Sequence, residues 1–180
     1  PREIQVDGQT IRARRFVVAT GSSPVVPAIP GLDGVPYLTN ETLFEYDQPM
    51  AHLIVIGGGP IGVEMSQAHR RLGVAVTLIE KTRLLPKDDP ELTQVVHDRL
   101  VSEGVEVMTG IGVEGVAAEG SGAAVQLDNG ASVSGSHLLV ATGRKANVEG
   151  LNLEAAGIDY GRRGIAVDAR LRSSNKKIFA

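Results

Sequence analysis

A glycine-rich turn between an apolar strand and an amphipathic helix constrains this chain more than any other feature. His52–Ile56 is almost wholly apolar, as expected of a strand covered on both faces of a parallel sheet. Gly57-Gly58-Gly59-Pro60-Ile61-Gly62, the glycine turn, follows directly, and apolar residues then recur at positions 61, 65, 68 and 72 with helical spacing. Gly73 stands where a helix often ends in a left-handed residue. The pattern predicts a strand, a tight turn and a helix in succession.

The next segments extend this pattern into a βαβαβ unit. An apolar strand is expected at Val74–Ile79, ending on Glu80, and Asp89-Pro90 has the N-cap and first-turn residues of a second helix. We expect that helix to stop at Gly104 and to bury one face, formed by Leu92, Val95, Val96 and Leu100. A third strand is expected at Val105–Met108. Such a unit requires right-handed crossovers and a parallel sheet.

The spacing of the glycines and of Glu80 predicts a dinucleotide site. Gly57 permits a sharp turn, Gly59 lacks the Cβ that would keep a pyrophosphate away, and Gly62 lets the helix pack closely on the strand. The N–H groups and the dipole of the helix start attract phosphates. Glu80, 18 residues beyond Gly62, is placed to accept hydrogen bonds from both hydroxyls of an adenosine ribose.

The acid at position 80 also bears on the choice of nucleotide. A carboxylate repels a 2′-phosphate, so Glu80 favours NAD over NADP. Lys81 and Arg83 follow at once and have the charge to bind that phosphate, although both also fit a solvated basic turn. Glu64 has two interpretations as well: an acid favoured by the helix dipole, or a carboxylate near the reacting end of the nicotinamide.

An internal repeat indicates how the rest of the chain is organised. Residues 4–21 and 125–143 each combine an alternating strand, a turn at Asp-Gly or Asp-Asn-Gly, a second strand and an apolar run that closes on Ala-Thr-Gly. A complete αβ unit precedes the second copy. We therefore expect the first copy to be the tail of a similar domain whose front end is not in this chain.

Composition excludes several classes of protein. The chain of 180 residues contains no cysteine, so it holds neither a disulfide nor a redox thiol pair of its own. Its net charge of −3 provides no excess of positive charge for binding nucleic acid or an anionic membrane. The longest uncharged run, Phe16–Leu32, carries three prolines and is no membrane span.

Four motifs together resemble those of the pyridine nucleotide–disulfide oxidoreductases. They are Val-Val-Ala-Thr-Gly-Ser-Ser-Pro with Ile-Pro-Gly-Leu, Ile-Gly-Gly-Gly-Pro-Ile-Gly-Val-Glu, Val-Thr-Leu-Ile-Glu and Leu-Val-Ala-Thr-Gly-Arg. They are most similar in style to dihydrolipoamide dehydrogenase and mercuric reductase, and they follow the family's order over nearly the whole chain. The resemblance implies an α/β fold: a Rossmann-like, three-layer NAD(P)-binding domain with a parallel sheet and a β-meander.

The resemblance also implies a division of the chain. Residues 1–24 would be the tail of an FAD domain, 25–50 a connector, 51–145 the NAD(P)-binding domain, and 146–180 a return segment toward the FAD domain. The intact enzyme would be a cytoplasmic homodimer, paired through a domain outside this chain. Its partners would be NADH and flavin, with no nucleic acid, membrane or metal site in this part.

Site residues follow from the same resemblance. Thr20, Gly21 and Ser22 would lie against FAD, Val113 near the adenine and Gly143 close to the nicotinamide. The nucleotide would be held by Gly57, Gly58, Gly59, Pro60, Ile61, Gly62, Val63, Glu64 and Glu80. Glu64 would act in catalysis at the junction of flavin and nicotinamide. Two departures concern the nicotinamide side: Pro60 stands where some members have a gating tyrosine, and Lys145-Ala146-Asn147 replaces x-Pro-Asn.

The implied function is that of an NAD(H)-binding domain that presents NAD(P)H for hydride transfer to flavin in an FAD-dependent oxidoreductase. The alternative is a nucleotide-binding redox sensor or regulatory module without chemistry. It is motivated by the lack of an acid–base or nucleophile constellation within the sequence.

Overall fold

The computed structural model describes residues 3–180. Two α-helices lie within this range, α1 (Pro60–Arg71) and α2 (Pro90–Ser102). The first strands are β1 (Glu3–Val6), β2 (Gln9–Arg12), β3 (Phe16–Val17), β4 (Ser22–Pro24), β5 (His52–Ile56), β6 (Ala75–Glu80), β7 (Glu106–Thr109) and β8 (Val113–Glu119). The others are β9 (Gly122–Leu127), β10 (Ser132–Gly135), β11 (His137–Val140), β12 (Arg144–Ala146), β13 (Tyr160–Gly161), β14 (Gly164–Ile165) and β15 (Ile178–Phe179). Neither helix is long and apolar enough to cross a membrane.

The described residues form two compact units. The larger unit is the continuous segment Pro24–Gly143, and the smaller unit combines the residues up to Ser23 with Arg144–Ala180. The proline-rich stretch 25–50 belongs to the larger unit and contributes to its core through Leu32, Val35 and Leu43, each at most 6% exposed. Its regular structure is limited to single 3₁₀ turns and an isolated bridge, since prolines lack the N–H that a helix or ladder needs.

A four-stranded parallel sheet in the order β11-β5-β6-β7 forms the centre of the larger unit. The predicted parallel sheet is therefore confirmed. The first predicted strand has the expected bounds, and the next two are displaced by one residue, to Ala75–Glu80 and Glu106–Thr109. The apolar side chains of β5 are buried on both sides of the sheet, which explains the near absence of polar residues in that strand.

Both faces of this sheet are covered, which gives the three-layer arrangement. One face packs under the helices, in a core that includes Leu53, Val55 and Leu78. The other face packs under the antiparallel meander β8-β9-β10, where Ile54 and Ile79 meet Val116, Val125 and Val133. Successive strand residues point to opposite faces, so β5 supplies both cores in alternation. The predicted β-meander is present.

The ends of both helices are where the sequence predicts them. Asp89 caps α2 by accepting the N–H of Glu91 at 2.9 Å, with Pro90 in the first turn. Gly73 follows α1 with φ of 93°, and Gly104 follows α2 with φ of 88°. These angles lie in the left-handed region that glycine adopts readily, so each helix ends at the residue that permits its exit.

The apolar face of α1 that the spacing predicts is only partly buried. Ile61 and Met65 are half-buried against the core, but Ala68 is exposed and Leu72 is 79% exposed. The fully buried positions are the small residues Gly62 and Ser66. A Cβ on Gly62 would lie 1.8 Å from the carbonyl oxygen of Gly57, so the helix approaches the turn at this position without a side chain between them.

The predicted buried face of α2 is also wrong in part. Leu100 is fully buried and Val96 half-buried, but Leu92 and Val95 are each 68% exposed. Thr93 is buried in their place, with its hydroxyl bonded to the carbonyl of Pro90 at 3.0 Å. A buried threonine is compatible with this position because the hydroxyl has local partners.

The smaller unit repeats the local architecture of the second half of the larger one. Its β1-β2 hairpin turns at Asp7 and Gly8, both with positive φ, as a tight hairpin requires. A short strand, β3, follows and pairs in parallel with β15. In the larger unit the β9-β10 hairpin likewise precedes β11, which pairs in parallel with β5. The two sequence copies thus fold as the same hairpin-and-strand motif.

Candidate nucleotide-binding site

The glycine turn (Gly57–Gly62) lies at the carboxyl end of β5, where it is tied to the neighbouring strands. Gly57 donates its N–H to the carbonyl of Ile79 at 2.9 Å, and the N–H of Ala141 reaches the carbonyl of Ile56 at 2.8 Å. Gly57 has φ of 111°, and a Cβ there would lie 2.5 Å from the Ala141 oxygen. Only glycine combines this backbone angle with so close an approach.

Gly59 and Gly62 differ in what surrounds them. A Cβ on Gly62 would lie 1.8 Å from the carbonyl oxygen of Gly57, so this glycine is required by the packing of the chain itself. A Cβ on Gly59 would meet no described atom within 4 Å. Because no contact within the described chain needs glycine at position 59, the open space beside it fits a turn that admits a ligand close to the backbone.

The start of α1 is suited to an anion. Gly59 is the N-cap residue and Pro60 begins the helix, and no side chain in the described range caps this end. The first N–H groups of a helix have no carbonyl partner within the helix, and the dipole adds positive potential there. Ile61 and Val63 pack against the core on the helix side of the sheet, so their side chains do not cap this terminus.

Glu80 lies at the carboxyl end of β6 and is bonded directly to the glycine turn. Its Oε2 accepts the N–H of Gly58 at 2.7 Å. Its Oε1 accepts two bonds from Thr82, one from the backbone N–H and one from the hydroxyl, each at 2.8 Å. The carboxylate is half-buried and fixed beside the helix N-terminus, because parallel strands bring their carboxyl ends to one edge.

The remaining predicted residues of the larger unit occupy three separate positions. Glu64 lies in the N-terminal half of α1 with an exposed side chain. Val113 begins β8, half-buried against the meander core. Gly143 follows β11 with φ of 140°, and its carbonyl accepts the N–H of Val25 at 2.9 Å. Gly143 therefore lies on the same sheet edge as the glycine turn.

Thr20, Gly21 and Ser22 form a separate cluster in the smaller unit. The Thr20 hydroxyl donates to the carbonyl of Asn147 at 2.6 Å, and the Asn147 N–H donates to the carbonyl of Gly21 at 2.9 Å. The Asn147 amide also donates to the Thr20 carbonyl, and the Arg144 guanidinium donates to the Ser22 hydroxyl at 2.8 Å. Substitution of x-Pro-Asn by Lys145-Ala146-Asn147 thus leaves an asparagine that ties this segment down.

Sequence reasoning missed three features of the site's surroundings. Thr82 is the first, since a single threonine after an acid carries no recognisable signal. Asp128 is the second: its Oδ2 accepts the N–H of Gly112 at 2.8 Å and holds the start of β8. The third is the position of the Arg83 guanidinium, which lies against the loop before α2.

A cavity of about 210 Å³ lies at the opposite end of β11. His137 joins the Tyr46 hydroxyl at 2.6 Å and the Ser136 hydroxyl at 2.8 Å, and partial burial lowers the pKa of its imidazole. Since ligands of open α/β sheets bind at the carboxyl ends of the strands, this cavity is separate from the candidate nucleotide site.

The comparisons decide the family. The family model described as pyridine nucleotide-disulphide oxidoreductase matches residues 2–180. The chain belongs to this family. Among solved structures, the HOCl-induced flavoprotein disulfide reductase RclA from Escherichia coli superimposes with a TM-score of 0.90 at 30% identity, over 99% of this chain and 42% of that protein. The resemblance seen in the sequence motifs is confirmed.

Curated members of the family are similar at a comparable level. Mercuric reductase of Staphylococcus aureus is 38% identical over 99% of this chain, which spans 34% of that protein. Dihydrolipoyl dehydrogenase of Thermus scotoductus is 38% identical over the whole chain, which spans 41% of that protein. The chain thus spans roughly a third to two fifths of these family members, and the family is one of flavin-dependent oxidoreductases that use a pyridine nucleotide.

Proposed function

We propose that the larger unit binds NAD(H) and presents the nicotinamide for hydride transfer to a flavin in an FAD-dependent oxidoreductase. The observation that carries this proposal is the link between Glu80 and the glycine turn. The Glu80 carboxylate is fixed at the end of β6 and bonded to the backbone of the glycine turn. This arrangement fits the adenosine half of a dinucleotide. Membership of a family that uses flavin and a pyridine nucleotide supports the same function.

The residues present fit the nucleotide at both ends of the glycine turn. Gly59 and the first turn of α1 would hold the pyrophosphate through backbone N–H groups, since the space beside Gly59 is open. Gly58, whose own N–H is bonded to Glu80, would border the nucleotide. Glu80 would accept a hydroxyl of the adenosine ribose. The bound nucleotide would supply the hydride, and the protein's share is placement and electrostatics.

Three further residues of the larger unit have proposed roles. Val113, at the start of β8, would border the adenine. Gly143 would border the nicotinamide, where the lack of a side chain permits a close approach. Glu64, exposed in the N-terminal half of α1, would act as the carboxylate that orients the reacting end of the nicotinamide.

The smaller unit would contribute one edge of the flavin site. Thr20, Gly21 and Ser22 would lie against FAD, and their hydrogen bonds to Arg144 and Asn147 hold them in one conformation. On this proposal residues 1–24 and 146–180 are parts of an FAD domain that the nucleotide-binding segment 51–145 interrupts. The intact enzyme would be a homodimer.

Substitution of Glu80 tests the proposal. Glu80→Ala removes a charged acceptor, so we expect NADH binding to weaken by about 1–3 kcal/mol in calorimetric titrations. NADPH should respond in the opposite sense, because loss of the carboxylate relieves its repulsion of the 2′-phosphate. Glu91→Ala, on the exposed first turn of α2, changes the net charge equally and serves as control. Unchanged preference between the two nucleotides in Glu80→Ala would reject the role given to Glu80.

A further inference from the structure

The carboxylate of Glu80 is held on both of its oxygens. Oε1 takes the backbone N–H and the hydroxyl of Thr82, and Oε2 takes the N–H of Gly58. A carboxylate offers about four acceptor positions, so roughly one remains, and it is on Oε2 beside the glycine turn. The chain therefore fixes both the orientation of the carboxylate and the oxygen that is open to a ligand.

The loop after β6 adds two backbone bonds that hold Thr82 in place. The carbonyl of Thr82 accepts the N–H of Gly110, at the end of β7, at 2.8 Å. The N–H of Leu85 donates to the carbonyl of Gly58 at 2.9 Å, which joins the loop to the glycine turn. Thr82 is thus held through its own carbonyl as well as through its bonds to Glu80, and its two donors have a fixed direction.

Arg83 is engaged by the same loop and by α2. One guanidinium nitrogen donates to the carbonyls of Pro86 and Asp88, both at 2.9 Å. The other donates to the Thr93 hydroxyl at 3.2 Å and to the carbonyl of Leu85 at 3.4 Å. Both terminal nitrogens of the Arg83 guanidinium donate to acceptors of the loop before α2 and of α2 itself. The pair of nitrogens that would bind a phosphate is therefore already engaged.

We propose that Thr82 is a positioning residue that makes Glu80 select a nucleotide with a free 2′-hydroxyl over one with a 2′-phosphate. A carboxylate pinned by Thr82 cannot rotate away from a 2′-phosphate, so its repulsion is retained. Arg83 supplies no compensating charge, because it closes the loop instead. This inference rests on the proposed function, since it concerns the same nucleotide site.

Two substitutions of Thr82 separate the effect of its hydroxyl group from the effect of its side-chain shape. Thr82→Val keeps the shape and removes the donor, whereas Thr82→Ser keeps the donor. In titrations with NADH and NADPH we expect Thr82→Val to lose about tenfold in NADH affinity and to lower the NADH-to-NADPH preference by a similar factor. Thr82→Ser should keep the wild-type preference. An unchanged preference in Thr82→Val overturns the positioning role.

Thermal melting of each variant controls for folding, and Thr82→Ala, which also lacks the hydroxyl, replaces Thr82→Val if the latter does not fold.

The role of Arg83 is tested by Arg83→Ala, for which we expect a lower melting temperature and the wild-type nucleotide preference. A selective loss of NADPH affinity in Arg83→Ala would show that the guanidinium meets the 2′-phosphate, against the inference.

Nucleotide binding by the wild-type chain distinguishes failure of the proposed function from failure of the role given to Thr82. If the wild type binds neither nucleotide, the proposed function itself fails and the role of Thr82 fails with it. If the wild type prefers NADH and Glu80→Ala removes that preference while Thr82→Val keeps it, the proposed function stands and only the role of Thr82 is lost.

Discussion

At the scale of single residues, two glycines of the same turn differ in whether the fold requires them. Gly62 is demanded by the fold, because any side chain there would collide with the backbone of Gly57. Gly59 is not demanded by the fold, because its φ of −75° suits any residue and a Cβ at this position would have no described atom within 4 Å. A sequence pattern of glycines does not separate these two cases, whereas the surroundings of each glycine do.

The pair gives a matched test of the phosphate-binding role. We expect Gly59→Ala to change the free energy of unfolding by less than about 1 kcal/mol, as for an alanine at an N-cap, and to weaken NADH binding at least about tenfold. Gly62→Ala should destabilise the chain by about 1–3 kcal/mol through overpacking. Urea unfolding and calorimetric titration measure the two effects. If Gly59→Ala binds NADH like the wild type, the open space beside Gly59 is not where the nucleotide approaches.

At the scale of elements, the carboxyl ends of both helices are joined by one acid. Glu103, the C-cap of α2, forms a bidentate pair with Arg71 at the end of α1, at 2.8 and 2.7 Å. Arg99, one turn earlier in α2, approaches Glu103 to 2.6 Å. Hydrogen bonding to Arg71 is the largest cause that lowers the Glu103 pKa to about 2. The cations also lie at the helix ends that favour positive charge.

This pairing predicts a specific acid sensitivity. The folded pKa of about 2 lies below the ordinary value of 4.5, so the stabilisation is complete above 4.5 and is lost as the pH falls toward 2. Glu103→Gln should therefore unfold with a shallower pH dependence than the wild type across that window, in urea titrations at a series of pH values. Glu114→Gln, an exposed acid on β8, should retain the wild-type slope. Equal slopes for the wild type and Glu103→Gln would contradict the coupling.

The elements also show which parts of the fold the sequence specifies. Strand and helix limits were predictable because their signals are local: the N-cap Asp89, the glycines after each helix and the apolar run of β5. The buried faces of the helices were not, because Leu92 is exposed while its neighbour Thr93 is buried, where its hydroxyl also meets Arg83. Rotation about a helix axis depends on contacts distant in sequence, and a periodic pattern does not contain them.

The candidate site, like the fold, was predictable from the sequence only in part. The glycine turn and Glu80 were predictable from spacing, since each has a task that only a few residue types perform. The partners of Glu80 and Arg83 were not predictable. A basic residue three positions after Glu80 suggests a phosphate ligand by proximity in sequence, yet the Arg83 side chain donates to carbonyls of its own loop.

At the scale of the whole molecule, each core lies within one of the two units. The two cores beneath and above the parallel sheet consist entirely of residues from the continuous segment Pro24–Gly143. The third core, around Leu153, Ile158 and Ile178, belongs to the smaller unit. Since a unit with its own core has what an independent domain needs, the larger unit should not depend on the smaller one for its fold.

A fragment spanning residues 24–143 tests this independence. We expect it to unfold in a single cooperative transition and to bind NADH within about threefold of the full chain, because every proposed nucleotide contact lies inside it. Its backbone NMR spectrum should show the dispersion of a packed α/β domain. Glu80→Ala in the fragment should lower the affinity by the same factor as in the full chain. A fragment that folds but loses NADH would show that residues outside 24–143 complete the nucleotide site, whereas one with collapsed dispersion would show that the third core supports the other two.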